Sequence, residues 1–154
     1  MVKMAGIGDL LLAVPALRAL RATYRQARID LLVTPQSAGL LRDSALVDRL
    51  LVFDKARWDH PKDVVRAPRQ LGALAGLWRT LRASRYDAAL IMHHQTLPFG
   101  RLKYRLLLYA ARPALSVGLE NGLAGFFDVG VPDQGFGAQH EAAYCLEIVG
   151  AVGA

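Results

Sequence analysis

Short apolar runs and longer stretches of helical spacing take turns along this chain. Leu10 to Tyr24 reads as a helix that Pro15 kinks or restarts, because proline lacks a backbone donor and clashes one turn back. Ile29 to Val33 reads as a short buried strand, Pro35 to Arg42 as a brief helix, Arg49 to Phe53 as a strand and Asp54 to Ala67 as a polar loop. Leu71, Leu74, Leu77, Trp78 and Leu81 share one face of a helix over Leu71 to Ala83. Ala88 to Met92 returns to strand, Lys103 to Ala111 to helix and Leu115 to Gly118 to strand, and a Gly-rich loop leads into a closing helix, Glu141 to Val149. Strands alternating with helices predict a mostly parallel sheet, covered on both faces, in a three-layer α/β sandwich. Only Met1 to Met4 stand ahead of the first helix, so the first strand is expected to be truncated, with residues 1–154 forming one domain. If the strand order is 3-2-1-4-5, the topological switch lies between that first strand and the strand ending at Met92, and ligands of open α/β sheets bind there, beyond the carboxyl ends of the strands.

Composition agrees with that architecture. The chain has 154 residues, 53% of them hydrophobic and 8% aromatic, enough for one core packed mainly by Leu, Ala and Val. The apolar runs Leu10 to Leu17 and Leu106 to Ala111 are broken well short of the ~20 residues that span a bilayer. There is one cysteine, Cys145, set among apolar residues and expected to pack; it has no partner for an internal disulfide, which suits a reducing cytosol. The net charge of +6 is largely arginine on expected helices. Such a field attracts phosphate groups or anionic headgroups, although scattered single charges are also what solvated helix faces carry.

The chemistry concentrates in Ala-Gly-Ile-Gly-Asp, residues 5 to 9, a glycine turn that opens into the first helix. Gly6 and Gly8 allow a tight turn and a close approach to a ligand. Asp9 either caps the helix or acts as a general base toward a bound hydroxyl. A dinucleotide site is the rival for such a turn, but the third glycine of Gly-x-Gly-x-x-Gly falls on Leu11, and the second strand ends in Val33-Thr34 without an acidic residue for a ribose. The loop from His93 to Gly100 faces the glycine turn across the switch point. His93 and His94 should leave opposite sides of the backbone, so that one of them reaches the crevice. Either that histidine or Gln95 is placed to hydrogen-bond a sugar or phosphate, and Lys103, with Arg101 and Arg105, to hold an anion. Adjacent histidines without a third ligand lack zinc spacing, and no metal is expected.

Gly-Ile-Gly-Asp-Leu-Leu-Leu-Ala-Val-Pro-Ala-Leu-Arg-Ala-Leu-Arg, residues 6 to 21, resembles the start of the heptosyltransferase family of glycosyltransferases. Arg28 to Val33, Tyr86 to Gln95 and Val117 to Gly122 resemble successive blocks of that family, and His140-Glu141 resembles the start of its last helix before the interdomain linker. The resemblance implies the acceptor-side, amino-terminal Rossmann-like half of a GT-B glycosyltransferase, with the carboxyl-terminal donor domain absent. It implies Asp9 as the base of a metal-independent, inverting transfer; Gly8, His93, His94, Gln95 and Lys103, by their place at the crevice, are the expected acceptor-binding residues. It also implies a nucleotide-sugar donor, ADP-heptose, bound by the other half, and no cofactor in this one. The acceptor would be a phosphorylated glycolipid of the lipopolysaccharide core. A cytoplasmic location would follow, with peripheral contact at the inner face of the bacterial inner membrane and no nucleic acid partner. The alternative from another class is a stand-alone, non-catalytic module that binds an anion or a nucleotide.

Overall fold

The computed structural model describes residues 1–54, 68–95, 98–122 and 125–154, and its sheet is organised around the first three of them. Val2 donates its N–H to Leu90 O (2.8 Å) and accepts from Met92 N (3.0 Å), while Met1 O accepts from Leu32 N (2.9 Å) and Lys3 N donates to Leu32 O (3.0 Å). These four bonds join two parallel blocks. One pairs β1 (Asp30–Val33) with β2 (Arg49–Val52), and the other runs β3 (Ala88–Ile91), β4 (Leu115–Glu120), β5 (Val129–Pro132). The order across the sheet is therefore β2, β1, Met1 to Lys3, β3, β4, β5, all parallel. The expected order 3-2-1-4-5 holds, with β5 as an added edge.

Alternation along the strands sorts side chains into the two outer layers. Leu31, Val33, Leu90, Met92, Val117 and Leu119 pack on one face against Leu10 and Leu17 of α1 (Ile7–Leu12) and α2 (Val14–Thr23), and against Tyr144 and Ile148 of α6 (Glu141–Gly150). Leu32 and Ile91 point the other way, toward Leu77 of α4 (Pro68–Ser84) and Tyr104 and Leu107 of α5 (Pro98–Ala111). Each fully buried Leu or Ile stabilises this sandwich by roughly 2 kcal/mol. Gly118, on the α4–α5 side of β4, lies under the Phe127 ring, and a Cβ there would fall inside the ring's contact distance.

The elements depart from expectation where proline and glycine redirect them. The first helix is two helices meeting at Ala13, because Pro15 sits in the opening turn of α2, where a missing N–H is tolerated. Pro35 likewise opens α3 (Pro35–Ala38), which tightens into a 3-10 turn over Gly39–Leu41. Pro98 starts α5 five residues ahead of the expected Lys103. The strand at Leu115 runs on to Glu120, and the loop after it contains β5. Residues 55–67 of the expected polar loop lie outside the described residues. Among the described residues no helix is long and apolar enough to cross a membrane.

Candidate functional site

Beyond the carboxyl ends of the central strands lies a cavity of about 890 Å³ whose lining includes Gly6, Asp9, His93, His94, His140 and Glu141. The glycine turn and the loop after β3 do meet at the topological switch. Asp9 is the third residue of α1, and the N-cap position belongs to Gly6, which has no side chain to offer. The Asp9 carboxylate is exposed in the cavity and makes no hydrogen bond with the described residues. It is therefore not the helix cap, the simpler of its two expected duties.

His93 and His94 leave opposite sides of the backbone as the strand period requires, yet both line the cavity, against the expectation that one would. His93 stacks on Tyr104 of α5, ring centroids 5.4 Å apart. His94 packs edge-on to Tyr144 of α6 (5.0 Å) and against Phe136 (4.3 Å). Its Nδ1 lies 2.8 Å from Asp133 Oδ1 and its Nε2 3.0 Å from Glu141 Oε2, so the ring donates to both carboxylates only in its imidazolium form. The other oxygen of Glu141 accepts from Lys3 Nζ at 2.7 Å. Lys3, Glu141, His94 and Asp133 thus form one hydrogen-bonded line, and the first three of them border the cavity. Burial works against the Glu141 carboxylate, but the Lys3 ammonium and then His94 carry it below its usual range. The two carboxylates grip His94 from opposite sides, so their oxygens do not converge on a common point. Among the described residues no group of three His, Cys, Asp or Glu side chains is arranged to hold a metal ion.

Cys145 lies behind this line, buried, with its Sγ 4.0 Å from Lys3 Nζ. Burial pushes its thiol up, Lys3 opposes that, and the Glu141 and Asp9 carboxylates add to it. A thiol so held is packing and not a nucleophile. At the start of α6, His140 Nδ1 accepts from Ala142 N at 3.2 Å, which leaves Nε2 to carry the ring proton beside the cavity.

Three expected acceptor residues lie outside the lining. Gly8 is exposed beside Asp9 but outside the lining, and Gly6 is the glycine that borders the cavity. Gln95 is 1% exposed and folds back to donate to His93 O at 3.1 Å, while its own carbonyl accepts two bonds from Arg101 at 2.9 and 2.8 Å. Lys103 is half-buried on α5, away from the cavity. Lys3, Asp133 and Glu141 were not anticipated. The one signal for them in the sequence is Lys3 itself, a charge inside the short apolar segment that forms the sheet's axis.

No family profile and no curated protein sequence matches the chain. Solved structures do. E. coli heptosyltransferase WaaC with ADP superposes with a TM-score of 0.78 at 20% identity, over 97% of this chain and 45% of that one. The same enzyme with ADP-2-deoxy-2-fluoro heptose gives 0.77, again at 20% identity, over 97% and 46%. A glycosyl transferase family 9 protein from Veillonella parvula gives 0.74 at 17% identity, over 99% and 40%. The fold is shared with glycosyltransferases. The chain spans less than half the length of these neighbours, consistent with one Rossmann-like half of the GT-B architecture.

Proposed function

We propose that this chain is the acceptor-binding half of an inverting glycosyltransferase of the heptosyltransferase type. The observation that carries the reading is Asp9, a carboxylate exposed in the cavity at the sheet's switch point that makes no hydrogen bond with the described residues. Transfer to a hydroxyl requires the acceptor oxygen to lose its proton as it attacks the anomeric carbon, while the bond from that carbon to the nucleoside diphosphate breaks. Asp9 accepts the proton, and the leaving diphosphate departs on the side of the donor-binding half. One carboxylate suffices, because direct displacement inverts the carbon without a glycosyl-enzyme intermediate. His93 and His140 border the same space and orient the acceptor. The Lys3–Glu141–His94–Asp133 line holds the wall on which they sit. The names of the structural neighbours favour ADP-heptose as donor. A phosphorylated glycolipid of the lipopolysaccharide core, displayed at a membrane, suits the chain's +6 charge as acceptor.

The test uses the protein in two forms, this chain alone and the chain with a donor-binding half. With ADP-heptose and a phosphorylated glycolipid acceptor, the longer form should add one heptose to the acceptor, read by mass spectrometry. The chain alone should bind acceptor without turnover. Turnover by the chain alone would overturn the two-half reading, and tight binding of ADP with no binding of acceptor would replace it with that of a stand-alone nucleotide-binding module.

A further inference from the structure

On the outer face of α5, Leu102, Leu106 and Tyr109 succeed one another turn by turn and are 49%, 50% and 60% exposed. Single exposed apolar residues are ordinary, but a stripe of three on one helix marks a contact surface. Helical spacing places Arg105 on the same face, and it is exposed. Arg112, also exposed, carries its guanidinium 5.9 Å from the centre of the Tyr109 ring. Tyr109 in turn meets Trp78 of α4, ring centroids 5.8 Å apart, so the apolar surface continues onto the neighbouring helix, where Leu74 is exposed. Neither helix contains an aspartate or a glutamate.

We propose that this α4–α5 face docks peripherally on an anionic bilayer. Leu102, Leu106 and Tyr109 enter the boundary between headgroups and acyl chains, and Arg105 and Arg112 meet lipid phosphates. The charge decides the occupant. A second copy of the chain would set one wholly basic face against another, which repels. A nucleic acid would use the cations and leave the leucines in water. An anionic membrane uses both, and the Tyr109 and Trp78 rings have the amphipathic character that interfaces favour. The contact lies on the surface and does not span it. This inference extends the transferase reading by naming the surface that would bring the chain to a membrane-borne acceptor. Its test contains neither donor nor glycolipid, so the two stand or fall separately.

The experiment is co-sedimentation of the chain with phosphatidylcholine vesicles containing one part in three phosphatidylglycerol, and with phosphatidylcholine alone. Binding is expected to the anionic vesicles only and should weaken as salt is added. The pair Arg105→Glu and Arg112→Glu should lower it by about tenfold or more. Leu106→Ser should lower it without changing net charge. The pair Arg18→Glu and Arg25→Glu makes the same charge change on the α2 side and should leave binding within about twofold, because the docked face is unaltered. Melting curves confirm that each variant is folded, and the corresponding glutamine pair replaces any glutamate pair that is not. No binding by the unaltered chain, equal losses from both arginine pairs, or no loss from the α5 variants would overturn the proposal. A dimer that Leu106→Ser converts to monomer in sedimentation velocity would overturn it in favour of a second copy.

Discussion

Two aspartates mark the two ends of the same sheet, and they are treated in opposite ways. Asp30, at the amino end of β1, is 4% exposed and accepts from Arg49 Nε at 3.1 Å, from Arg49 Nη2 and from the Tyr86 hydroxyl at 2.7 Å. Arg28 stands 3.5 Å from its other oxygen, and the Met1 ammonium donates to its carbonyl at 2.7 Å. Its neighbours register the arrangement. The hydrogen bond to Asp30 raises Arg49, while burial first and Asp30 second raise Tyr86. Burial pushes the Met1 ammonium down to about 6 against the pull of Asp30. Asp9, at the carboxyl end, has none of this among the described residues and faces a cavity. A carboxylate whose Oδ2 takes three hydrogen bonds and whose Oδ1 faces Arg28 orders the structure around it. A bare one, at the end of the sheet where ligands bind, is the one the proposed transfer uses.

The largest effect should come from removing the bare carboxylate. In a form carrying the donor-binding half, Asp9→Asn should reduce turnover about a hundredfold or more and leave stability within about 1 kcal/mol, since it forms no cap. Near-normal turnover at saturating substrates would move the base elsewhere, with His93 next in line. Asp30→Asn should do the reverse. It leaves Arg49 and Tyr86 facing a neutral amide, and because the Arg49 side chain is 39% exposed the loss should be about 2 kcal/mol, below the figure for a fully buried pair. Chemical denaturation measures it, and turnover per folded molecule should not change. A third substitution tests the charged line beside Asp9. Glu141 is depressed in the folded state, so its stabilisation is fully present above the ordinary carboxylate range and is lost as pH falls through the folded value. Glu141→Gln should therefore be about 1 kcal/mol less stable near pH 7, and the two proteins should converge in acid. A difference that persisted at low pH would mean that shape, not charge, is what Glu141 contributes.

How far these two ends could be read in advance differs for a physical reason. The strand order was legible because buried parallel strands are short apolar runs, and Ile29 to Val33 and Ala88 to Met92 are such runs. β5 was not, because Val-Gly-Val-Pro carries a glycine and a proline and buries only Val131 on the sheet's edge. Asp9 and His93 were legible as a pair, since local turn and strand-end patterns together with the switch-point rule bring them to one crevice. The line from Lys3 to Glu141 joins residues 138 positions apart. No local pattern encodes a contact of that kind. Asp30 was passed over for the same reason, because its partners arrive from β2 and from the turn after α4.

That turn supplies the smallest and most sign-sensitive prediction. Arg85 follows α4 with φ +48°, the left-handed conformation that usually closes a helix on glycine. An L side chain there costs roughly 1 to 2 kcal/mol relative to glycine. Glycine in turn loses more freedom on folding, by roughly 0.5 to 1 kcal/mol. The two nearly offset, and the remainder favours glycine by about 0.5 kcal/mol. Arg85 is exposed, so no packing is lost with its side chain. Against the gain stands its charge at the helix's carboxyl end, a favourable interaction of about 0.3 kcal/mol or more that salt screens. Arg85→Gly should therefore stabilise the chain slightly, and more clearly at high salt than at low. A destabilisation that grew as salt was lowered would show that the charge outweighs the strain, and that Arg85 belongs electrostatically with Arg28 and Arg49 in the cluster around Asp30.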